Sequence, residues 1–276
     1  MQHPEEEWNR PAWQLPSGVA RGAWDYVHEP SIAKQYDAFH DGHPLLELDR
    51  QLVLDRAERI RSGIEDRIPV AIDCGCGTGR VAVPLSMLGW RVVGIDLSQA
   101  MLEETAIKGV GEPAAASGLG LIRGNLAQLG FLKPQSIDLA YCLYSSLGMV
   151  RGRHHRRACL RHVFESLRSG GEFIVHVHNR GTWLRDPGGM RRWIADWWRS
   201  RRDPEWEFGD RVYAYRGLPS MYLHIYSERE LRLDLQNAGF RRPTLLFLNR
   251  TSSGWLQGRL GSRWRAGGFI AIATKA

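Results

Sequence analysis

Val70-Ala71-Ile72-Asp73-Cys74-Gly75-Cys76-Gly77-Thr78-Gly79-Arg80 is the stretch of this chain that decides the fold. A short apolar run, of strand length and bounded by polar residues, leads straight into a turn with glycine at alternate positions. Glycine has no Cβ, so such a turn lets backbone approach a ligand closely. The free N–H groups that open the following helix point at the same place. A second apolar run, Arg91-Val92-Val93-Gly94-Ile95, ends on Asp96, about twenty residues downstream of the turn. That is the layout of a βαβ unit that grips a nucleoside ribose.

The glycine spacing discriminates between cofactors. A dinucleotide fingerprint places glycine at the first, third and sixth positions of the turn. Gly75 and Gly77 fill the first two, but the sixth is Arg80, and the third glycine comes early, at Gly79. This argues against a nicotinamide dehydrogenase. The pattern Asp73-x-Gly75-x-Gly77-x-Gly79 resembles motif I of the class I S-adenosylmethionine (SAM) methyltransferases. The resemblance continues along the chain. Asp96-Leu97-Ser98 with Met101-Leu102 is similar to the family's ribose-binding loop, and Gly124-Asn125-Leu126 to its adenine-contacting segment. Ile137-Asp138-Leu139-Ala140-Tyr141-Cys142 resembles the fourth strand, Leu167-Arg168-Ser169-Gly170-Gly171-Glu172 the turn before the fifth, and Ala238-Gly239-Phe240 a helix end of the family.

The resemblance implies SAM as cofactor and a set of residues that hold it. Gly75, Cys76, Gly77 and Gly79 pass its methionine part, with Asp73 accepting hydrogen bonds near the amino group. Asp96 takes both ribose hydroxyls, since an ionised carboxylate has two acceptor oxygens; Ser98 is the better helix cap and leaves it free. Leu97, Met101 and Leu126 flank the adenine, and Asn125 stands where the family usually has an acid, its amide able to pair with the adenine edge. Tyr36, in a Tyr36-Asp37 pair, resembles a residue that closes over the cofactor in many relatives. Tyr141, Tyr144 and Ser145 follow the fourth strand, beside the reactive methyl.

Composition fits this class. The chain has 276 residues, 43% hydrophobic and 24% charged, which allows one sizeable core with length left for an insertion. No apolar run approaches a membrane span, and the polar, acidic start His3-Pro4-Glu5-Glu6-Glu7 is unlike a secretory signal. The expectation is a cytoplasmic protein with no membrane partner; its oligomeric state is not legible. Cys74, Cys76, Cys142 and Cys159 lack disulfide or zinc spacing and read as small buried thiols. The net charge of +7 is carried almost wholly by arginine, which suits phosphate or carboxylate contacts but equally reflects residue usage.

The order of elements predicts a doubly wound, mostly parallel α/β sheet with helices on both faces and an inserted cap, and the resemblance implies an antiparallel hairpin at one edge. Residues 1–67 read as an N-terminal arm, packed through Trp8, Trp13 and Trp24, followed by two helices that Gly42 and Pro44 separate. The domain of residues 68–276 has strands at 70–74, 91–95, 119–123, 136–142, 172–178, 243–248 and 268–274. Helices alternate with them at 79–88, 98–107, 155–168 and 227–238. The insertion, 179–222, places Met190, Trp193, Ile194, Trp197 and Trp198 on one helical stripe, with Arg191, Arg192 and Arg199 off it. It reads as a lid whose tryptophans wall a substrate pocket.

Methyl transfer from a sulfonium needs alignment, exclusion of water and, for some acceptors, a base. The candidates for catalysis are His178, which ends the fifth strand, His224, where the insertion returns to the core, and Tyr144. His176 and His178 share a strand face, yet no third ligand accompanies them, so no metal is expected and His176 reads as structural. His154-His155 reads as surface. The function expected is methyl transfer from SAM to a small molecule. An RNA acceptor is the alternative, from the arginine–aromatic cap and Tyr222-Leu223-His224-Ile225-Tyr226-Ser227, which is similar to tRNA wobble-uridine methyltransferases. A non-catalytic SAM-binding protein is the third reading.

Overall fold

The computed structural model describes residues 11, 14–111, 118–258 and 260–276; Trp8 and Trp13 lie outside them. Three helices come first, α1 (Arg21–His28), α2 (Pro30–His40) and α3 (Pro44–Ser62). Prolines Pro30 and Pro44 stand at the first turns of α2 and α3, where a missing N–H costs nothing. The α/β alternation follows as β1 (Val70–Cys74), α4 (Ala82–Met87), β2 (Arg91–Asp96), α5 (Gln99–Gly111), β3 (Leu119–Arg123), β4 (Ile137–Cys142), the short α6 (Ser146–Met149), α7 (Arg153–Ser166) and β5 (Leu167–His178). The insertion holds a 3-10 turn (Arg180–Arg185), α8 (Gly189–Arg202), β6 (Asp210–Tyr215) and β7 (Leu218–His224). Then come α9 (Glu228–Ala238), β8 (Thr244–Phe247), the single turn α10 (Ser262–Arg265) and β9 (Gly268–Thr274).

Seven strands form one sheet in the order β3-β2-β1-β4-β5-β9-β8. The first five pair in parallel, and β9 runs antiparallel to both β5 and β8. The strand order reverses between β1 and β4, and ligands of open α/β sheets bind at such a switch point. Alternation along β5 shows how both faces are covered. Phe173, Val175 and Val177 enter the core beneath α7 and α9 with Leu160, Val163, Leu231 and Phe240. Ile174 joins the opposite core, with Val53 and Ala57 of α3, Leu85 of α4 and Trp90. Ser227 caps α9 by accepting the Glu230 N–H at 3.3 Å, and Gly239 ends it at φ 119°.

Two expectations need correction. The helix expected at 155–168 stops at Ser166, because Leu167–Glu172 joins β5 through a shift in register against β4. The insertion is only partly a helical cap: β6 and β7 form a separate antiparallel hairpin. Its turn, Arg216-Gly217, has φ of 48° and 85°, the left-handed pair that tightly joins two twisted strands. The tryptophan stripe is not a core. Met190, Ile194 and Trp198 are exposed, and α8 buries only Gly189.

The hairpin is held down by α1. Gly22 lies against the Ser220 carbonyl so closely that an added Cβ would sit 1.2 Å from the oxygen. Alanine favours a helix interior over glycine by about 1 kcal/mol, but overpacking against backbone costs about 1–3 kcal/mol or more, and the clash wins. Gly22→Ala should therefore lower the melting temperature by roughly 5 °C, read by calorimetry. An unchanged or raised melt would contradict the seating of α1 on β7.

Candidate active site

A cavity of about 230 Å³ opens where β1, β2 and β4 end. Gly75, Gly77 and Gly79 all have positive φ, at 85°, 54° and 76°, but they serve different ends. A Cβ on Gly77 would meet nothing within 4 Å, so this position is the open floor of the cavity. A Cβ on Gly75 would lie 2.8 Å from Ser146, and one on Gly79 2.5 Å from the Thr105 methyl. Gly75 therefore lets α6 approach, and Gly79 lets α5 pack. Gly79 does not line the cavity, which corrects its expected place on the ligand.

Two carboxylates stand at this end. Asp96 Oδ2 accepts the Gly77 N–H at 2.8 Å and Oδ1 the Ser98 N–H at 2.9 Å. Ser98 caps α5 as expected, accepting the Met101 N–H at 3.4 Å and donating to the Val27 carbonyl at 2.8 Å, while Asp96 is tied to the glycine turn. Each oxygen keeps a further lone pair for a ligand. Burial raises the Asp96 pKa above the ordinary carboxylate value, against the hydrogen bonds from Ser98 and Gly77. Asp73 is pushed up to about 8 by burial; Arg80 opposes this and Asp96 adds to it. Such a group is largely protonated at neutral pH, and a further cation beside it would favour the carboxylate.

Leu97, Met101, Leu126, Cys76 and Tyr36 line the cavity with Asp73 and Asp96. Tyr36 is positioned through its neighbour. Asp37 accepts the Thr78 hydroxyl at 2.7 Å and pairs with Lys108, which fastens α2 to the glycine turn. Asn125 also lines the cavity, but its amide is engaged at both ends. Its oxygen accepts the Ala127 N–H at 2.9 Å, and its nitrogen donates to the Ser17 carbonyl at 2.8 Å. It caps a 3-10 turn and tethers the N-terminal arm, while its second N–H and second oxygen lone pair remain for a ligand. Tyr141 is fully buried in the core, opposite Asp73 in the β1–β4 register, and does not line the cavity.

At the far end stand Tyr144 and His178, their rings 6.1 Å apart. Tyr144 and Ser145 are consecutive left-handed residues, φ 48° and 64°. Each such non-glycine residue costs on the order of 1–3 kcal/mol and persists only where surroundings enforce it. Here the Ser145 N–H donates to the His176 carbonyl at 3.0 Å, and the His178 N–H to the Ser145 hydroxyl at 3.4 Å. The strained corner presents the Tyr144 ring to the cavity, with His40 edge-on behind it at 5.6 Å. Burial, and after it His176, lower the His178 pKa to about 4 against the opposing charge of Asp49, so the imidazole is neutral at neutral pH. His176 itself is fully buried and bound to Asp49 at 2.9 Å, a structural role.

His224 does not reach the cavity. It is fully buried, with Nδ1 2.7 Å from Asp210 and Nε2 2.9 Å from Glu230. Burial alone would raise Glu230, but His224, Arg180 and Arg156 outweigh it and hold the carboxyl down at about 2. Glu207 lies in the same cluster, bound to the buried Arg156 at 2.7 Å. The cluster is a knot of charges joining the hairpin to α7 and α9, so the expected base at His224 is corrected to a structural residue. The sequence reading missed the roof: Tyr213 and Tyr215 of β6 with Met221 and Leu223 of β7, and Tyr26 of α1. The alternation Val212-Tyr213-Ala214-Tyr215 before Arg216-Gly217 was its signal.

Known proteins with related features fit this geometry. Residues 71–171 match the methyltransferase domain family. A Geobacillus sp. (strain WCH70) protein named as a methyltransferase is 31% identical over 109 residues, 39% of this chain and 42% of its own. The chain thus matches about two-fifths of that curated relative's length. A SAM-dependent methyltransferase from Methanosarcina mazei superposes with a TM-score of 0.58 at 20% identity, over 78% of this chain and 96% of its own. Magnesium protoporphyrin IX methyltransferase from Synechocystis PCC 6803, with S-adenosylhomocysteine bound, gives 0.57 at 17% identity, over 91% and 97%. Both likenesses are of fold. Residues 71–171 thus match a methyltransferase domain, and the chain shares the Rossmann-like fold of SAM-dependent methyltransferases.

The residues present fit that cofactor, with an open glycine floor, two carboxylates and apolar walls at one end of a single cavity. A pH dependence follows from Asp73. Between its ordinary value near 3.8 and about 8, the folded protein binds more protons than the unfolded chain. Stability of the free protein therefore falls as pH rises through that window, by a few kcal/mol in all. An ammonium beside Asp73 favours its carboxylate, so S-adenosylhomocysteine should bind with proton release, up to about tenfold more tightly per pH unit from 6 to 8. Calorimetry in buffers of different ionisation heat reads this directly. Asp73→Asn should flatten the profile and stabilise the free protein at pH 8; a profile equally steep in that variant would contradict the assignment.

Proposed function

We propose that the protein transfers a methyl group from SAM to a small-molecule acceptor that enters beneath the tyrosine-bearing hairpin. The observation that carries this reading is the continuity of one cavity, from Asp96 and Leu97 at one end to Tyr144 and His178 at the other. SAM supplies a methyl group already activated on a sulfonium, so the chain's work is alignment and the exclusion of water. Asp96 orients the sugar and Asp73 the amino group. The apolar side chains Leu97, Met101 and Leu126 flank the base. Tyr36 and the hairpin close the site.

Tyr144 and His178 stand where an acceptor would sit. A neutral His178 can accept a hydrogen bond from the acceptor, though burial weakens it as a base, and the Tyr144 hydroxyl can donate to or accept from the acceptor. That pair favours an enzyme over a passive SAM-binding protein. The walled acceptor end, with Tyr213, Tyr215, Met221 and Leu223 above it, favours a small molecule over RNA. The arginine–tryptophan helix that suggested RNA contributes nothing to the cavity wall.

The test is transfer of label from methyl-labelled SAM into cell extract separated by size. Label should enter the small-molecule fraction. Transfer into RNA alone, or into nothing, would contradict the proposal. With an acceptor in hand, Tyr144→Phe should lower kcat by roughly ten- to a hundredfold while leaving S-adenosylhomocysteine affinity within about twofold. Parallel loss of both would make Tyr144 a cofactor or folding residue instead.

A further inference from the structure

Helix α8 turns its apolar stripe away from the protein. Met190, Ile194 and Trp198 are 56%, 46% and 50% exposed, and their spacing of four sets them in one line. The helix is anchored by another face. Trp193 stands edge-on to Phe208 at 4.9 Å, and Asp196 accepts the Trp206 indole N–H at 2.6 Å and the Gly209 N–H at 3.1 Å. The outward stripe is therefore a surface in its own right. It is flanked by cations: Arg191, Arg201 and Arg202 have no carboxylate partner among the described residues, while Arg192 and Arg199 make only long pairs, at 3.5 and 3.7 Å. The one acid of the helix, Asp196, is spent inward.

The basic surface continues beside it. The 3-10 turn Arg180–Arg185 packs against both α8 and α10. Arg185 has its pKa lowered by burial and by the nearby charges of Arg250 and Arg265, and Leu260, two residues before α10, is 90% exposed. Uncompensated arginines beside exposed aliphatic side chains define the partner as anionic and able to take apolar groups. Nucleic acid meets the first condition only. Met190, Ile194 and Leu260 offer no ring for a base to stack on. The rings of Trp197 and Trp198 are already faced by Arg201 and Arg202, at 4.8 and 5.3 Å. A bilayer with acidic headgroups meets both conditions. Fourteen residues make a helix about 21 Å long, too short to cross the hydrocarbon and suited to lying in its surface.

We propose that α8 is an interfacial helix that seats this protein on an anionic lipid bilayer, inserting Met190, Ile194 and Trp198 between headgroups held by its arginines. No α8 residue lines the cavity, so membrane seating and methyl transfer can fail separately.

The test is cosedimentation of the full chain with vesicles. Binding to phosphatidylcholine containing about a third phosphatidylglycerol should exceed binding to phosphatidylcholine alone by roughly tenfold or more, and should weaken as salt screens the arginines. Arg191→Glu with Arg202→Glu should abolish the preference for acidic lipid. Ile194→Glu with Trp198→Glu should abolish binding. All four side chains are exposed, so the melting temperature of each variant should match the parent. Quenching of tryptophan fluorescence by brominated lipid should fall in Trp198→Phe, which reports insertion without altering charge. Equal binding to both vesicle types, binding to neither, or retention by a single-stranded RNA oligonucleotide that anionic vesicles do not compete away would overturn the proposal.

Discussion

The bond from the Gly77 N–H to the Asp96 carboxylate is the constraint on which the site depends. It joins the turn after β1 to the tip of β2, two elements that parallel pairing already places side by side. With it in place, the open floor at Gly77 and the second carboxylate oxygen face the same cavity. The arrangement keeps two acids, Asp73 and Asp96, in a poorly solvated wall. That is unfavourable for the free protein and would favour a cationic, hydroxyl-bearing ligand.

The rest of the structure closes this cavity. The pair Asp37–Thr78 fixes α2 to the glycine turn. Asn125 draws in the arm at Ser17, and Gly22 allows α1 to lie against β7. On the opposite side the His224 knot fastens the hairpin to the domain through Asp210 and Glu230. Breaking such a buried set by removing one partner leaves charge uncompensated, at a cost of about 3–5 kcal/mol. The roof of the cavity is thus anchored by charged residues away from it, while the end near Tyr144 and His178 is aromatic.

Much of this was legible from residue order. The strands at 70–74, 119–123 and 268–274 fall where apolar runs and turn residues put them, because a short apolar run bounded by turn residues is a local signature. The floor at Gly77 and the carboxylate Asp96 were legible for the same reason: turn, strand tip and helix start are contiguous. What failed was information carried between distant segments. Helical spacing found the stripe on α8 but says nothing of which way it faces. His224 sits next to the cavity in sequence terms, yet alternation along β7 turns it toward Asp210. Tyr141 has suitable chemistry, but the β1 neighbour that buries it lies far away in the chain. The hairpin roof was overlooked because tryptophan and arginine dominate the insertion's composition and mask the short tyrosine alternation that follows.

Asp96 is proposed to grip the cofactor ribose, and calorimetric titration of S-adenosylhomocysteine into the parent chain and Asp96→Ala tests this most directly. One equivalent should bind the parent, and the variant should lose roughly a hundredfold or more in affinity, two charge-assisted hydrogen bonds being removed together. Equal affinity in the two proteins, or a parent that ignores this ligand and binds a nicotinamide dinucleotide instead, would contradict it.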